Sequence, residues 1–405
     1  MKKSTCAALL VTSVLLASAV TYQITSTAYR ARYKAELDAA TAEYENSFGG
    51  EMNALYDDYL ALYNGEVDEE ELDELSKKLF VYATGDRYGE YLTAEEFEEM
   101  QSGLDGQFVG IGVSVIEDTD TGLLEVVEVF PDSPALAADV RVGDLIYKVG
   151  DDYASELGED IVLSRIRGEA GTSVTFTVLR GGSEEVTFTL VRDYVTEYNV
   201  RYRMYGENGG EATSVGLIII SSFDAVTEGQ VDEAIAELCA RGAESLIFDL
   251  RGNLGGTLTS ISPILDKLLP EGPILHIVDK SGETETISSD ENALDMPMVV
   301  VVNGNTASAA ELFTSALADY DKAVIVGTQT YGKGCMQSIV KRPDGSALRV
   351  TTARYDPPYS ENYDGAGITP DIIAEPDELT ASTSRYKIAD RDDNQLRAAY
   401  EALTK

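Results

Sequence analysis

A serine at the predicted start of a helix is the first residue in this sequence that could do chemistry. Five apolar residues, Met298 to Val302, predict a buried strand, residues 303–305 supply a tight exit, and residues 306–318 favour a helix. Ser308 therefore lies at or just inside a helix start, where unpaired backbone N–H groups could stabilise an oxyanion. Helix starts also favour serine for capping alone, so this stretch by itself leaves an ordinary capping serine open.

A serine nucleophile needs a base, because its free hydroxyl is too weak an acid at neutral pH. The single histidine, His276, lies in an alternating strand well upstream of Ser308 with no partner motif beside it. A histidine on a strand face is the favoured interpretation of that residue. A Ser-His-Asp triad or a Cys-His enzyme would depend on His276 alone.

Lysine is the other candidate base. Lys333 lies between two glycines in TYGKGCMQ, and Gln337 follows four residues later. Burial can lower the pKa of a lysine, and a fall of ~3 units corresponds to ~4 kcal/mol of disfavoured charge, which requires substantial desolvation. A surface GKG turn and a phosphate loop are the alternatives, although the GxxxxGK[ST] pattern is absent because Gly334 follows Lys333.

Composition argues against several other classes of function. The formal net charge is −40, from 71 acidic and 31 basic residues, and this argues against a nucleic-acid partner because phosphate binding needs clustered Lys and Arg. The three cysteines lie far apart, so they predict neither a disulfide framework nor a cysteine-based zinc site. With a single histidine and no HExxH motif, the sequence predicts no metal site and no cofactor.

Residues 1–29 predict export. Two lysines precede an apolar run from Cys6 to about Val20, which is typical of a signal peptide or of an uncleaved membrane anchor. The run is short for a spanning helix, which needs about 20 residues, but residues 21–24 could extend it, and an anchor is favoured. The body of the protein is therefore expected outside the cytoplasm, anchored to the cell membrane.

Residues 30–103 predict an N-terminal helical region. Apolar residues recur at spacings of three and four, as in Leu55, Tyr59 and Leu62. These helices could pair with a second copy of the chain in a homodimer, or they could hold the remainder off the membrane. Further along, Thr93 is a predicted N-cap, with Glu96 completing a capping box.

Residues 104–192 change to short strands. In order, they carry GIGV after Phe108, the turn DSPA, the strand GDLI and a final pair of strands. In this order the segment resembles a PDZ domain, a β-rich module with short helices. PDZ domains bind an extended C-terminus as an added strand, with loop N–H groups on the terminal carboxylate. The resemblance implies that the peptide-binding loop consists of Val109, Gly110 and Ile111.

Two arginines stand out in this acidic module. Arg165 and Arg167 precede a glycine and could sense the charge of a ligand or substrate. The alternative is a PDZ-like spacer that binds no ligand at all.

Residues 193–378 alternate apolar strands with helices, which predicts an α/β layer with sites at the ends of its strands. The motif DLRGNLGG at 249–256 lies at such an end. Its glycines allow backbone N–H groups to face a ligand oxygen, or they form only a tight turn. Residues 379–405 predict a helical tail. The predicted fold class is thus mixed α/β (α+β): N-terminal helices, a PDZ domain and an α/β core.

Taken together, these motifs resemble peptidase family S41, specifically the C-terminal processing peptidases with a PDZ domain. The resemblance rests on the order of DLRGNLGG, NGNTAS before a helix, GTQTYGKGCMQ, and TTARY with GAGITPD at 351–371. It implies an S41-type α/β protease core with a Ser–Lys dyad. In that dyad Ser308 is the acylating nucleophile, Lys333 the general base, and Gln337 the residue that orients the lysine.

The resemblance also implies an oxyanion hole. Its donors would be the N–H of Ala309 and a glycine N–H from the DLRGNLGG loop, where Gly255 is favoured over Gly256. Glu311 and Asp319 are acids on the same predicted helix and would either tether it or serve as capping and surface charges. The neighbours of the nucleophile, TASAAE, depart from the SASASE that is common in the family, but this removes no catalytic group.

The implied function is an exported serine endopeptidase that recognises free C-termini of protein or peptide substrates through its PDZ domain. Insertion of that domain between the helices and the catalytic strands further predicts that it gates activity. A catalytically silent PDZ scaffold for exported proteins is the alternative from another class. A hydrolase of small esters is a third hypothesis.

Overall fold

The computed structural model describes residues 46–118 and 121–404, and before them residues 32, 34, 38, 39 and 41–43. The predicted export segment, residues 1–29, lies outside this described part. The chain divides into two compact units between Asp73 and Glu74. Among the helices of the described residues, none is both long and apolar enough to cross a membrane.

The first unit contains helix α1 (Phe48–Leu62). Ser47 caps it, because its side chain accepts a hydrogen bond from the N–H of the third helical residue. The apolar residues predicted at helical spacing are exposed: Leu55, Tyr59 and Leu62 each leave more than half of their surface open. Helix α1 therefore presents apolar side chains without burying them.

Helix α2 (Glu69–Ala83) opens with three glutamates, which suit the positive end of the helix dipole. A short strand, β1 (Glu90–Leu92), and helix α3 (Ala94–Leu104) follow. Thr93 caps α3 and Glu96 returns a hydrogen bond to the cap, so the predicted capping box is confirmed.

A small antiparallel sheet forms the next region. Its elements are β2 (Gln107–Gly110), β3 (Val113–Asp118), β4 (Leu123–Val129), α4 (Pro134–Ala137), β5 (Leu145–Val149), β6 (Asp152–Tyr153), α5 (Ala154–Leu157), α6 (Glu159–Ile166), β7 (Ser173–Arg180), β8 (Glu184–Val191) and β9 (Asp193–Thr196). The sheet has the strand order β3-β4-β5-β7-β8, and β6 pairs with β5. Strands β2 and β9, at the two ends of this segment of the chain, pair with each other. The core is apolar, with Ile146, Phe176 and Val178 fully buried.

The last region alternates strands and helices around two sheets. Its elements are β10 (Val200–Met204), β11 (Val215–Ile220), α7 (Thr227–Ala240), β12 (Ser245–Asp249), α8 (Leu258–Leu268), β13 (Gly272–Asp279), β14 (Thr284–Ser289), β15 (Met298–Val302), α9 (Ala309–Asp319), β16 (Ala323–Gly327), β17 (Cys335–Lys341), β18 (Ala347–Asp356), β19 (Ile372–Ile373), α10 (Glu378–Ser382) and α11 (Asn394–Thr404).

The central sheet has the strand order β10-β11-β12-β15-β16-β19 and is parallel except for β10. Helices α7, α8 and α9 pack on one face and α11 packs on the other. Strands covered on both faces need apolar residues at every position, which explains the unbroken run in β15, where all five residues are buried. The predicted buried strand and the mixed α/β class are both confirmed.

The second sheet is antiparallel, in the order β1-β18-β13-β14, with β17 paired to β18. The loop between β16 and β17 carries Lys333, and β18 carries Tyr355. The central sheet delivers Ser308 from the end of β15, so the site forms where the two sheets meet. Helix α11, at the predicted C-terminal tail, is part of the central core, since Leu396 and Ala399 pack against the sheet.

Candidate active site

Ser308 follows β15 and is the N-cap of α9. Its backbone has φ 57° and ψ −121°, a region that is costly for a residue with a side chain. Such strain persists only where surrounding contacts enforce it, and the contact here is a hydrogen bond of 3.0 Å from the Ser308 N–H to Glu311 Oε2. The serine is therefore held in a fixed, strained turn at the positive end of a helix.

Glu311 is a buried carboxylate that ties this turn to the lysine loop. Oε2 accepts from the N–H groups of Ser308 and Lys333, the latter at 2.8 Å. Oε1 accepts from the hydroxyl of Thr330 at 2.6 Å and from the N–H of Gly332 at 2.7 Å. The sequence left a tether and a cap as alternatives for Glu311, and in the structure this residue serves as both.

Lys333 is half-buried, and its ammonium nitrogen lies 4.8 Å from the centre of the Tyr88 ring. Burial lowers the pKa of Lys333 below its ordinary value. The thiol of Cys335 opposes this shift, the guanidinium of Arg349 adds to it, and the carboxylate of Glu311 opposes it. Desolvation dominates, as a lysine base requires.

The structure brings the backbones of Ser308 and Lys333 together, but their side chains are not joined. Within the described residues, Lys333 Nζ makes no hydrogen bond to Ser308 or to Gln337. Gln337 Nε2 instead contacts Cys335 and the hydroxyl of Thr351, each at 3.4 Å. Catalytic hydrogen bonds often form only with substrate bound, so the role of Gln337 in orienting the lysine stays a prediction.

Tyr355 contacts the serine hydroxyl directly, a contact that the sequence analysis missed. Its hydroxyl lies 2.8 Å from the carbonyl oxygen of Lys333 and 3.1 Å from Ser308 Oγ. A carbonyl can only accept, so the phenolic proton occupies the shorter bond and Ser308 Oγ–H is free to donate to the phenol. Burial raises the pKa of Tyr355 well above its ordinary value, which keeps the phenol neutral. The only sequence signal was its place in the motif TTARY.

The DLRGNLGG loop packs directly against the serine turn. Gly255 has φ 104°, and a Cβ there would lie 2.8 Å from the Ala309 nitrogen and from Ser308 Cβ, so a side chain would collide with the site. The Gly255 N–H donates to Asn253 Oδ1 at 2.8 Å. The N–H groups of Ala309 and Gly256 have no acceptor among the described residues. The assignment of the oxyanion donors stays a prediction.

Arg251 fixes the DLRGNLGG loop through buried ion pairs. It forms ion pairs with Asp249 at 2.7 Å and with Asp393 at 2.8 Å, and it is almost fully buried. Burial alone would lower the pKa of Arg251, but these two carboxylates outweigh it and raise the pKa. Sequence reasoning assigns no role to Arg251 beyond its place in the motif, because its partner Asp393 is 142 positions away.

His276 lies away from this chemistry. Its Nδ1 contacts the hydroxyl of Thr286 at 2.8 Å and its Nε2 contacts the carbonyl of Pro358 at 3.2 Å. Both ring nitrogens of His276, on strand β13 of the second sheet, are therefore engaged. This agrees with the interpretation of His276 as a histidine on a strand face.

A groove of about 390 Å³ runs along the predicted peptide-binding loop. Gly110, Ile111 and Arg167 line it, whereas Val109 pairs with Tyr194 in the β2–β9 ladder. Arg165 lies outside the lining and forms an ion pair of 2.5 Å with Asp152. Most of the apolar lining comes from the PDZ-like sheet and from α6: Ile111, Val113, Val115, Leu163 and Ile166.

Comparison with known proteins agrees with this architecture. The sequence profile of peptidase family S41 matches residues 214–374, and that of the PDZ domain matches residues 109–191. A protein of Staphylococcus aureus (strain COL) named as a CtpA-like serine protease is 32% identical over 355 residues, covering 85% of this chain and 70% of the relative.

A second relative and a solved structure are also similar to this chain. A CtpA-like serine protease of Staphylococcus epidermidis is 32% identical over 308 residues, covering 75% of this chain and 59% of the relative. A crystal structure described as an S41 protease from Bacteroides fragilis shares the fold, with a TM-score of 0.54 and 16% identity over 81% of this chain and 90% of that chain.

Proposed function

Because this chain belongs to peptidase family S41, among the CtpA-like C-terminal processing serine proteases with a PDZ domain, we propose that Ser308 and Lys333 carry out its peptide-bond cleavage. The observation that supports this most is the shared carboxylate oxygen. Glu311 Oε2 accepts from the backbone N–H groups of both residues, at 3.0 and 2.8 Å. This shared acceptor holds the backbones of the nucleophile and the base close to each other although they belong to different loops.

In the proposed mechanism, Ser308 Oγ attacks the carbonyl carbon of the scissile bond while its proton passes to Lys333 Nζ. The tetrahedral oxyanion is stabilised by backbone N–H groups at the start of α9 and in the DLRGNLGG loop. The intermediate then collapses, and Lys333 returns the proton to the leaving amine. A water molecule, deprotonated by Lys333, hydrolyses the acyl-enzyme and releases Ser308.

The contact of Tyr355 with Ser308 adds a step to the reaction before nucleophilic attack. In the structure the Ser308 hydroxyl contacts the phenol of Tyr355 rather than Lys333. Ser308 must therefore turn its hydroxyl proton from the phenol to the amine before attack. The neutral phenol keeps its own bond to the Lys333 carbonyl, so the lysine loop does not have to move.

Substrate recognition is proposed to occur in the groove beside the β2–β3 loop. An extended C-terminal tail would add to β3, with its carboxylate on the N–H groups at 109–111 and its last side chain among the apolar lining residues. The lining of Ile111, Leu163 and Ile166 supports a preference for an apolar last residue. Arg167 adds a positive charge at the rim.

Cleavage is expected to depend on the last residue of the substrate. An unfolded protein that ends in Val should be cleaved about 10-fold or more faster, in kcat/KM, than the same chain with a C-terminal amide or a terminal Asp, because each change removes a charge-assisted hydrogen bond or places a charge in the apolar pocket. The matched control is an Asp substitution several residues upstream of an unchanged Val terminus. Equal rates for all termini would contradict the proposed recognition.

The value of kcat/KM is also expected to rise with pH, and the midpoint of this rising limb of the pH profile should lie below the ordinary lysine pKa of 10.5. Lys333 accepts a proton only when it is neutral, and a lowered pKa makes the neutral amine available at lower pH. The test is kcat/KM against pH on a substrate without His or Cys, over the range in which the protein stays folded. A limb at the ordinary lysine value would contradict a buried base.

The proposal includes a location outside the cytoplasm, with residues 1–29 as a membrane anchor. The two lysines before the apolar run support it. Protease added to intact cells should then reach the chain, and full protection of the chain would contradict this location.

Pairing of two chains through α1 is also part of the proposal, and the exposed Leu55, Tyr59 and Leu62 support it. The molecular mass in solution, measured as a function of protein concentration, tests this pairing.

Gating by the PDZ domain is also part of the proposal. Arg201 of the core forms a half-buried ion pair with Glu128 of the PDZ sheet, and Lys387 pairs with Glu125. These contacts join the peptide-binding module to the protease core. A form without residues 107–196 that cleaved with unchanged rate and selectivity would contradict gating.

A further inference from the structure

The segment 86–92 is attached both to the loop that carries Lys333 and to strand β18. Arg87 Nη2 donates to the hydroxyl of Tyr331 at 3.0 Å, just before the lysine. The carboxylate of Asp86 accepts from the N–H and the hydroxyl of Thr351 on β18, at 2.8 and 2.7 Å. Strand β1 pairs with β18 as well. The segment is therefore fixed in place over the base.

Tyr88 is the residue of this segment that faces Lys333. Its ring centre lies 4.8 Å from the ammonium nitrogen, within the range of a cation–π interaction. Its hydroxyl is buried and has no hydrogen-bond partner among the residues that the structure describes. A buried hydroxyl without a partner contributes no stabilising bond, so the contact of Tyr88 with Lys333 is made by the ring. Burial raises the pKa of Tyr88 to about 12, which makes it a neutral ring and not an anionic partner.

A lysine can act as a base beside an aromatic ring more readily than beside carboxylates, because carboxylates hold it in its protonated form. Lys78, in the same unit, forms ion pairs with Glu74 at 2.7 Å and Glu96 at 2.8 Å, and these carboxylates raise its pKa. A lysine held in that way would stay protonated and could not act as a base. An aromatic face attracts the ammonium more weakly, so it can assist a charge that exists only during turnover.

We propose that Tyr88 is a positioning residue for Lys333: its ring keeps water off the amine, fixes the side chain, and stabilises the ammonium that forms when the lysine accepts the Ser308 proton. This inference rests on the Ser–Lys dyad proposed above. It adds a residue from the segment before the PDZ domain to the catalytic machinery. Tyr88 acts through Lys333 and does not contact the reacting bond itself.

The ring is one of several groups that face the amine. Of these, Arg349 disfavours the ammonium and Glu311 favours it, so the neutral ring decides chiefly how much water reaches Lys333. Opening that space would let the pKa of Lys333 return towards its ordinary value. The titratable and charged groups around Lys333 and Tyr88 are Glu311, Cys335, Arg349, Arg87, Tyr331 and Asp364.

The test compares Tyr88→Ala and Tyr88→Phe in the full chain, with Tyr82→Ala as the matched control, since Tyr82 is 82% exposed on α2. We measure kcat/KM against pH on an unfolded protein substrate. Tyr88→Ala should lower kcat/KM about tenfold, because the amine loses the ring that fixes it, and should move the rising limb to higher pH, because water that enters the opened space stabilises the ammonium more than the ring does. Tyr88→Phe keeps the aromatic face and should stay within about twofold of the wild-type kcat/KM, since the hydroxyl has no hydrogen-bond partner among the described residues.

Three results would overturn the inference: an unchanged pH profile in Tyr88→Ala, faster cleavage in Tyr88→Ala, or an equal loss in Tyr88→Phe, which would place the function in the hydroxyl. Tyr88→Leu is the second variant if Tyr88→Ala does not fold, as measured by thermal unfolding. Leucine keeps water out but lacks the aromatic face, so cleavage should slow without an upward shift of the limb, and wild-type rates would overturn the inference.

Failure of the proposed dyad would appear differently. Ser308→Ala or Lys333→Ala would then retain substantial cleavage, or a serine-directed phosphonate would not label Ser308. Wild-type protein that cleaves and is labelled, together with a Tyr88→Ala variant that behaves identically, contradicts only the inference about Tyr88.

Discussion

Replacement of Ser308 or Lys333 with alanine is expected to abolish peptide-bond cleavage and leave the fold intact. Ser308→Ala removes the atom that forms the acyl-enzyme, and Lys333→Ala removes the acceptor of its proton. Losses of roughly 10⁴-fold or more in kcat are typical when a member of a nucleophile–base pair is removed. Neither side chain belongs to the large apolar clusters, so the free energy of unfolding should change little.

Matched controls are available on the same elements. Ser315 is a buried serine of α9 whose hydroxyl, among the described residues, donates to the Leu312 carbonyl, and Lys341 ends β17 beyond the site. Ser315→Ala and Lys341→Ala should keep near-wild-type rates on an unfolded protein substrate. Thermal unfolding of all four variants excludes loss of the fold. Substantial residual cleavage in Ser308→Ala or in Lys333→Ala would contradict the dyad.

The sequence could predict those parts of the site that follow from local pattern. Ser308 follows an apolar run with a tight exit, and Lys333 is flanked by glycines after the next strand, so order along the chain was enough to nominate both. Parallel strands then carry such loops to one edge of a sheet. The burial of β15 and the cap at Thr93 are local in the same sense.

Contacts between distant segments could not be predicted in this way. Tyr355 reaches Ser308 across 47 positions, and Arg251 reaches Asp393 across 142. Tyr88 lies over Lys333 because β1 pairs with β18, a pairing that no local pattern encodes. The hydrogen bond from Gly255 to Asn253 is short in sequence, but it depends on a loop conformation that several allowed backbone angles would satisfy for glycine.

Glu311→Gln is expected to lower kcat/KM by about 100-fold, although glutamine has nearly the same size. Both carboxylate oxygens accept from two donors each: Oε2 from Ser308 and Lys333, and Oε1 from Thr330 and Gly332. An NH₂ in place of Oε2 would face two backbone N–H donors and lose both bonds, and an NH₂ in place of Oε1 would lose the bond from Gly332 and force the Thr330 hydroxyl to turn and accept. Displacements of about 1 Å at a catalytic group cost on the order of 10²-fold.

The charge of Glu311 gives this variant a signature of its own. The carboxylate raises the pKa of Lys333, so its removal should lower that pKa further and move the rising limb to lower pH, opposite to Tyr88→Ala. Unsatisfied buried donors should also lower the free energy of unfolding by roughly 1–3 kcal/mol each. Labelling of Ser308 by a phosphonate should slow by a similar factor to cleavage.

Asp319→Asn is the matched control for Glu311→Gln, because Asp319 ends the same helix and its Oδ2 accepts from the backbone N–H groups of Tyr359 and Ser360 at an exposed position. It should keep the wild-type pH profile and labelling rate, since it contacts neither Ser308 nor the lysine loop. A Glu311→Gln protein that is folded and labels as fast as wild type would show that the shared carboxylate does not hold the dyad in register. A Glu311→Gln protein that cleaves slowly but has the wild-type pH profile would show that Glu311 controls the geometry of Ser308 and not the pKa of Lys333.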